Sequence, residues 1–214
     1  MLFALDDSIQ FPPVHFAEPD GLLAMGGDLR SERLINAYRL GIFPWYENDP
    51  ILWWCPDPRF VLFPEEIYIS KSMQSEFKKG RFRFSTNEAF GSVIRNCKTT
   101  RRVGQDSTWI TPDVENAYKN LHSLGYAHSA EAWLNDKLVG GLYGIRLGKV
   151  FFGESMFSQE SNASKFAFIS YVKQLKQEGV ELIDCQVYTP HLETLGARMI
   201  PRKEFTTLLK RWID

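Results

Sequence analysis

Three runs in the second half of the chain, Ala127–Leu134, Lys137–Ile145 and Lys149–Phe157, follow one another with only short turns at Asn135-Asp136 and Leu147-Gly148 between them. Parallel strands need a crossover of a dozen residues or more, so connections this short allow only antiparallel pairing. The runs therefore read as a meander. Phe168, Tyr171, Val172 and Leu175 then mark one face of a helix ending at Gly179, and Val180–Val187 reads as a largely apolar strand. Hairpinned strands, a helix and a further strand argue an α+β layer domain with a mixed, largely antiparallel sheet flanked by helices.

The rest of the chain supplies fewer constraints. The first 60 residues are rich in turn signals and aromatics, among them Phe11-Pro12-Pro13, Gly26-Gly27-Asp28, Phe43-Pro44-Trp45, Trp53-Trp54 and Pro56-Asp57-Pro58. They read as a small aromatic-pinned N-terminal domain with little regular structure, residues 1–60, ahead of a larger domain, residues 61–214. One helix is legible in it, with Ser31 as N-cap, Leu34, Ile35 and Tyr38 on one face and Gly41 as its stop. Further on, Ile67–Ile69 reads as a short strand, and Arg81–Phe84 as a strand with arginines on one face and phenylalanines on the other. Asn87–Cys97 reads as a helix, and Thr111-Pro112-Asp113 opens another with a cap, a first-position proline and an early acid. Arg202–Trp212 makes a last helix. The order of meander, helix and strand resembles GNAT-type acyltransferases, a likeness of fold that fixes no chemistry.

With 44% hydrophobic and 24% charged residues in 214, the composition is that of a folded chain. No apolar run approaches the roughly 20 residues of a membrane span, and the N-terminus lacks the pattern of a signal peptide, so a cytoplasmic location is expected. Three cysteines, Cys55, Cys97 and Cys185, make no finger or CxxC spacing, and four histidines form no ligand pair at helical spacing, so no metal site is expected.

Nucleotide signatures fail. Gly140-Gly141-Leu142-Tyr143-Gly144 is not GxGxxG, lies in a strand, and marks a close backbone approach; no GxxxxGK[ST] occurs. Charge is more telling locally than overall. The net charge is −1, yet residues 71–103 carry +7 and the remainder −8. Lys79, Arg81, Arg83, Arg101 and Arg102 are candidates for a phosphate-backbone patch.

The strongest chemical signal is Asp184-Cys185-Gln186 within an apolar strand. Two residues apart, Asp184 and Gln186 emerge on one face. A buried carboxylate beside a carboxamide is costly unless each is paired, which suits either a structural hydrogen bond or an amide held by the acid and aimed at a reacting amine. Glu154, between Gly153 and Ser155, is a second acid in apolar company.

The strings Glu18–Leu29, Gly41–Trp45, Leu52–Arg59, Thr108–Thr111, Phe152–Ser158 and Leu182–Gln186 closely resemble the bacterial leucyl/phenylalanyl-tRNA–protein transferases, from about residue 10 to the last helix. The resemblance implies a GNAT-like domain behind a small N-terminal one, with no metal and no coenzyme. It implies transfer of Leu or Phe, and less well Met, from the 3′ aminoacyl-adenosine end of Leu-tRNA or Phe-tRNA to the α-amino group of proteins beginning with Arg or Lys, marking them for N-degron degradation. It gives Gln186 a contact with the acceptor amine and Asp184 the orienting of Gln186, leaves the amine proton to a relay through Asp184, to water or to a ribose hydroxyl of the substrate, and makes Glu154 a candidate for the cationic acceptor residue. Pocket positions map to Trp45, Trp109, Leu142, Phe151, Met156, Tyr171 and Ile183, all apolar or aromatic as a Leu or Phe side chain requires. Leu142 stands where a methionine can occur in relatives. An acyl-CoA-dependent GNAT enzyme and a non-catalytic RNA-binding module remain as alternatives. The first lacks a pyrophosphate loop ahead of a helix, and the second leaves Asp184 and Gln186 unexplained.

Overall fold

The computed structural model describes residues 2–100 and 109–213. The chain opens with β1 (Phe3–Leu5), β2 (Leu22–Gly26), α1 (Ser31–Arg39), β3 (Phe43–Pro44) and β4 (Leu52–Trp54), and the four strands form a sheet in the order β1-β2-β4-β3. It continues through β5 (Arg59–Leu62), α2 (Lys71–Lys79), β6 (Arg83–Thr86), α3 (Phe90–Thr99) and α4 (Pro112–Ser123). The meander follows as β7 (Ala127–Leu134), β8 (Lys137–Leu147) and β9 (Val150–Ser158). Then come α5 (Ala163–Gln177), β10 (Leu182–Gln186), the one-turn α6 (Pro190–Glu193), β11 (Arg198–Ile200) and α7 (Arg202–Trp212). The second sheet has seven strands in the order β11-β5-β10-β9-β8-β7-β6, antiparallel throughout except where β10 runs parallel to β9. The class is α+β, with the meander–helix–strand order in β7 to β10.

Turn chemistry explains the meander. Asn135 and Asp136 both have positive φ, 48° and 60°, the conformation of the two-residue turn that matches strand twist. The glycines of β8 are demanded by contact. A Cβ on Gly140 would lie 2.6 Å from the Cβ of Ala163 at the start of α5, and one on Gly144 would strike the carbonyl of Phe152. The expected close approach is thus to the protein's own backbone.

The large sheet is buried on both faces. On one side α3, α4 and α7 and the first sheet pack around Val61, Tyr143, Phe152, Phe157 and Leu182; on the other α5 and α2 pack around Leu62, Leu142, Phe151 and Ile183. Eight side chains of α5 are buried, each contributing roughly 1.5–3 kcal/mol when large and apolar. α4 starts as its sequence requires, with Thr111 Oγ1 accepting from Val114 N at 3.2 Å ahead of Pro112. α3 has no cap of its own. The buried carboxylate of Glu131, on β7, takes the Ala89 N–H at 3.4 Å together with the hydroxyls of Ser85 and Ser129, so a neighbouring strand supplies the negative charge at this helix start.

Several local expectations are corrected. Ile67–Ile69 is not a strand: it follows a single 3-10 turn at Pro64–Glu66 and is held by one backbone bond, Tyr68 N to Leu195 O. Arg81 precedes β6, so it shares no strand face with Arg83. The cap position of α1 falls on Arg30, whose side chain makes no capping bond, and not on Ser31. The first 60 residues, expected to hold little regular structure, form the four-stranded sheet, and the strand at Arg59–Leu62 is a further addition that local sequence reasoning missed.

Candidate active site

Strands β9 and β10 part company midway. Pairing runs from Leu182/Val150 to Asp184/Phe152 and stops there. Beyond it, residues 153–156 of β9, Cys185 and Gln186 of β10 and the following Val187 line a cavity of about 330 Å³. The first sheet supplies another wall through Phe43, Pro44 and the 39% exposed Trp45; Trp109, Leu142, Met156, Phe168 and Ile183 complete a lining made mostly of carbon.

Each of the diverging strands carries a bulge at this point. Tyr143 pairs with Ser155 and Gly144 with Gly153, leaving Glu154 as the extra residue of β9. Asp184 pairs with Val61 and Gln186 with Phe60, leaving Cys185 as the extra residue of β10. Bulges re-aim side chains, and here they turn Glu154 and Gln186 toward each other. Gln186 sits at φ 63°, a left-handed conformation unfavourable for a residue with a side chain.

Asp184 holds that conformation. Its Oδ1 accepts the Gln186 backbone N–H at 2.9 Å and the Arg59 Nε–H at 2.7 Å, while Oδ2 accepts Arg59 Nη2–H at 2.6 Å. Both side chains are fully excluded from solvent. The guanidinium lies 4.7 Å from the ring centres of both Phe43 and Phe205. Burial opposes its charge, but the Asp184 carboxylate outweighs this and holds its pKa above the ordinary value.

The carboxamide of Gln186 belongs to a different acid. Gln186 Nε2 donates to Glu154 Oε1 at 2.8 Å, so the expected side-chain pairing with Asp184 is replaced by a backbone one. Glu154 Oε1 also accepts from the Tyr38 hydroxyl at 2.7 Å, and Oε2 from that of Tyr118 at 3.0 Å; the two hydroxyls lie 2.5 Å apart. Burial pushes the Glu154 carboxyl up from 4.5 to about 7 against the opposing effect of these hydrogen bonds, with the nearby Asp184 charge adding to the rise. Tyr38 and Tyr118 are raised well above the usual range, chiefly by burial and then by the Glu154 charge, so they serve as donors. Burial likewise raises the Cys185 thiol, which stays protonated on the cavity wall.

The structure thus gathers Asp184, Gln186, Glu154, Trp45, Trp109, Leu142, Met156 and Ile183 at one cavity. Phe151 and Tyr171 lie behind its lining, edge to face at 5.1 Å in the core on the α5 side. Arg59, Tyr38 and Tyr118 are the site residues that sequence reasoning missed. Tyr38 was visible as part of the α1 apolar face; nothing local marked the other two. Among the basic candidates, Lys79 and Arg81 both reach Glu76 at 3.3 Å, and Arg83 pairs with Glu88 at 2.7 Å. Arg101 and Arg102 lie outside the described residues. Among the described residues no three His, Cys, Asp or Glu side chains gather as metal ligands would, and no helix is long and apolar enough to cross a membrane.

A model of the leucyl/phenylalanyl-tRNA protein transferase family matches residues 61–210, and a model of that family's N-terminal domain matches residues 27–57. The chain belongs to this family. Leucyl/phenylalanyl-tRNA–protein transferases of Syntrophobacter fumaroxidans and Syntrophus aciditrophicus are 55% and 56% identical to it, over 97% and 95% of this chain and 89% and 85% of theirs. That of an Anaeromyxobacter species is 53% identical over the whole chain and 91% of its own. Among solved structures, L-PGS from Bacillus licheniformis gives a TM-score of 0.43 at 10% identity, covering 79% of this chain and 56% of that one. A GCN5-related N-acetyltransferase from Kribbella flavida gives 0.41 at 8%, covering 84% and 63%. As a leucyl/phenylalanyl-tRNA–protein transferase family member, the chain is an aminoacyltransferase, moving an aminoacyl group from tRNA to protein.

Proposed function

We propose that the enzyme takes Leu or Phe, and Met less well, from the 3′ end of aminoacyl-tRNA and joins it to the α-amino group of proteins beginning with Arg or Lys, marking them for N-degron degradation in the cytoplasm. The observation that carries this reading is the meeting, in one cavity, of a carbon wall with the Gln186–Glu154 pair. The wall suits a Leu or Phe side chain. Glu154 supplies negative charge beside the reacting centre, where a cationic acceptor residue is drawn in.

The reaction is aminolysis of an ester. An ester is already activated, so the catalyst's tasks are to hold donor and acceptor in attack geometry, to dispose of the amine's proton and to stabilise the developing oxyanion. In this reading Gln186 contacts the acceptor amine, Asp184 fixes Gln186, and residues 1–60 form a unit that closes the pocket of a catalytic domain, residues 61–214. A neutral carboxamide is a very poor base, so Gln186 positions the amine and the proton goes elsewhere.

Lys79, Arg81, Arg83, Arg101 and Arg102 contact the tRNA backbone in the same proposal. β6 is an edge strand, separated by β7 alone from β8, whose Leu142 and Tyr143 line the cavity. At the usual strand spacing this is about 10 Å, a span for the acceptor stem of the tRNA to bridge while its 3′ end enters the cavity.

The test is incubation of purified protein with radiolabelled Phe-tRNA and a peptide beginning with Arg, beside the same peptide beginning with Ala. Label on the first alone supports the proposal. Label on neither, or equally on both, overturns it.

A further inference from the structure

We infer that the two acids of the site have separate tasks: Asp184 is a fixed anchor for the backbone of Gln186, and Glu154 is the carboxylate that takes the proton shed by the acceptor amine. The inference rests on the aminoacyl-transfer reading above and adds to it the destination of the proton.

Asp184 is engaged on both oxygens. Arg59 occupies each of them and the Gln186 N–H shares Oδ1, with acid and guanidinium alike fully buried. A proton placed on Asp184 would strand the Arg59 charge in an apolar sandwich of Phe43 and Phe205, which low-dielectric surroundings penalise heavily. Asp184 is thereby suited to hold the left-handed bulge at Gln186 and unsuited to relay a proton.

Glu154 stands in the opposite situation. The groups facing it are neutral hydrogen-bond donors from three elements: the Tyr38 hydroxyl from α1, the Tyr118 hydroxyl from α4 and the Gln186 carboxamide from β10. Tyr143 of β8 stands edge-on to Tyr118. The charged groups nearby are Asp184, of like sign, and Arg59, already committed to Asp184. A proton arriving on Glu154 relieves a buried charge. Hydroxyls both donate and accept, so the Tyr38–Tyr118 pair can turn to receive the new carboxylic O–H without leaving a buried polar group unpaired. The position of Glu154 beside Gln186 on the cavity wall puts it within reach of an amine there, directly or through one water. Its carboxyl, raised to about 7, lies close to the range of about 7.7–8.0 of an N-terminal amine, the match that favours general-base catalysis.

The step balances as follows. The α-ammonium of the acceptor gives one proton to Glu154, and the lone pair this exposes attacks the ester carbonyl carbon. As the tetrahedral intermediate collapses, the bond from carbon to the ribose oxygen breaks. That oxygen leaves with its electron pair and takes up the second proton of the attacking nitrogen. The products are the new peptide bond, a free ribose hydroxyl and protonated Glu154, which returns its proton to water through the cavity.

The experiment is the pH profile of kcat for Phe transfer from Phe-tRNA to a saturating Arg-initiated peptide, on wild type, Glu154→Gln, Glu154→Ala with added formate, and Asp184→Asn. The expected result is a wild-type acid limb near pH 7. Glu154→Gln replaces that limb by one in the amine's own range of about 7.7–8.0 and loses about 10²–10⁴ of kcat, formate restores part of the rate to Glu154→Ala, and Asp184→Asn is slowed but keeps the limb near pH 7. A wild-type limb in Glu154→Gln, or its loss in Asp184→Asn alone, overturns the inference. Infrared titration of wild-type protein carrying carboxyl-labelled Glu or Asp needs no variant to fold: a band titrating near pH 7 must belong to Glu, and its assignment to Asp overturns the inference equally. Wild type that transfers no Phe at all sinks the underlying reaction instead.

Discussion

Arg59 and Asp184, 125 residues apart in the sequence, meet as a two-pronged ion pair with no solvent contact, at 2.6 and 2.7 Å. The pair joins β5 to β10 and, through Phe43 and Phe205, ties both to the first sheet and to α7. Removing one member of such a pair leaves an uncompensated buried charge and costs about 3–5 kcal/mol, whereas replacing both by apolar groups is often neutral. Arg59→Met should therefore lower the denaturation midpoint steeply. Arg59→Met with Asp184→Leu should recover much of the stability while transferring no amino acid, since the Gln186 backbone has lost its anchor. Chemical denaturation beside a transfer assay measures both.

Glu154 should leave its mark on stability as well as on rate. Its folded-state pKa of about 7 lies above the ordinary 4.5, so the folded state binds this proton more tightly than the unfolded chain. The stabilising contribution is complete below pH 4.5 and is lost as the pH rises to about 7. Glu154→Gln should flatten the dependence of Tm on pH within that window; an identical slope in wild type and variant would contradict the assigned shift.

Gly144 faces the carbonyl of Phe152 with no room for a methyl group, and it adjoins the bulge that presents Glu154. Gly144→Ala should cost about 1–3 kcal/mol through overpacking and reduce kcat further than that loss explains. Gly140→Ala meets Ala163 instead, away from the bulge, and should reduce stability with kcat little changed. Thermal melts and turnover measured on the same samples distinguish the two effects.

Donor choice follows from the carbon lining. A methylene of misfit in such a pocket costs about 1–3 kcal/mol, so Leu and Phe should both be accepted, helped by the flexible Met156, with Ile behind Leu and Lys excluded by desolvation. Competition among Leu-, Phe-, Ile- and Lys-tRNA at equal concentration measures the order.

Affinity for tRNA should fall steeply with salt, because phosphate contacts release counterions. Charge reversal of Lys79, Arg81 and Arg83 together should flatten that slope. Each is paired with Glu76 or Glu88, so the reversal also frees those acids and should weaken binding beyond the loss of the three contacts.

Legibility in the sequence tracked the range of the interactions. The meander, α5 and α7 were readable because their signals are local: alternation, a two-residue turn with compatible residues, and an apolar stripe ending at a glycine. Residues Asp184, Gln186 and Glu154 stood out as polar groups in apolar strands. Their partners did not. Arg59 lies in a four-residue strand behind Pro58, and its acid is on another strand far along the chain. The Tyr38–Tyr118 contact joins residues 80 apart. Alternation assigned Gln186 to the face of Asp184, but a bulge cannot be seen from alternation when no glycine or asparagine marks its left-handed residue. Asp184 and Gln186 are therefore joined as the sequence suggests, but through the Gln186 backbone N–H and not its carboxamide.

Two indoles line the cavity, Trp45 at 39% exposure and Trp109 at 7%. Indole emission shifts to the blue as water is displaced from around the ring, so the protein carries its own optical gauge of occupancy. If the donor binds where proposed, adding an aminoacyl-adenosine should alter fluorescence without any label, so that donor binding is followed in real time and apart from transfer. Trp45→Phe would silence the more exposed reporter while keeping an aromatic wall.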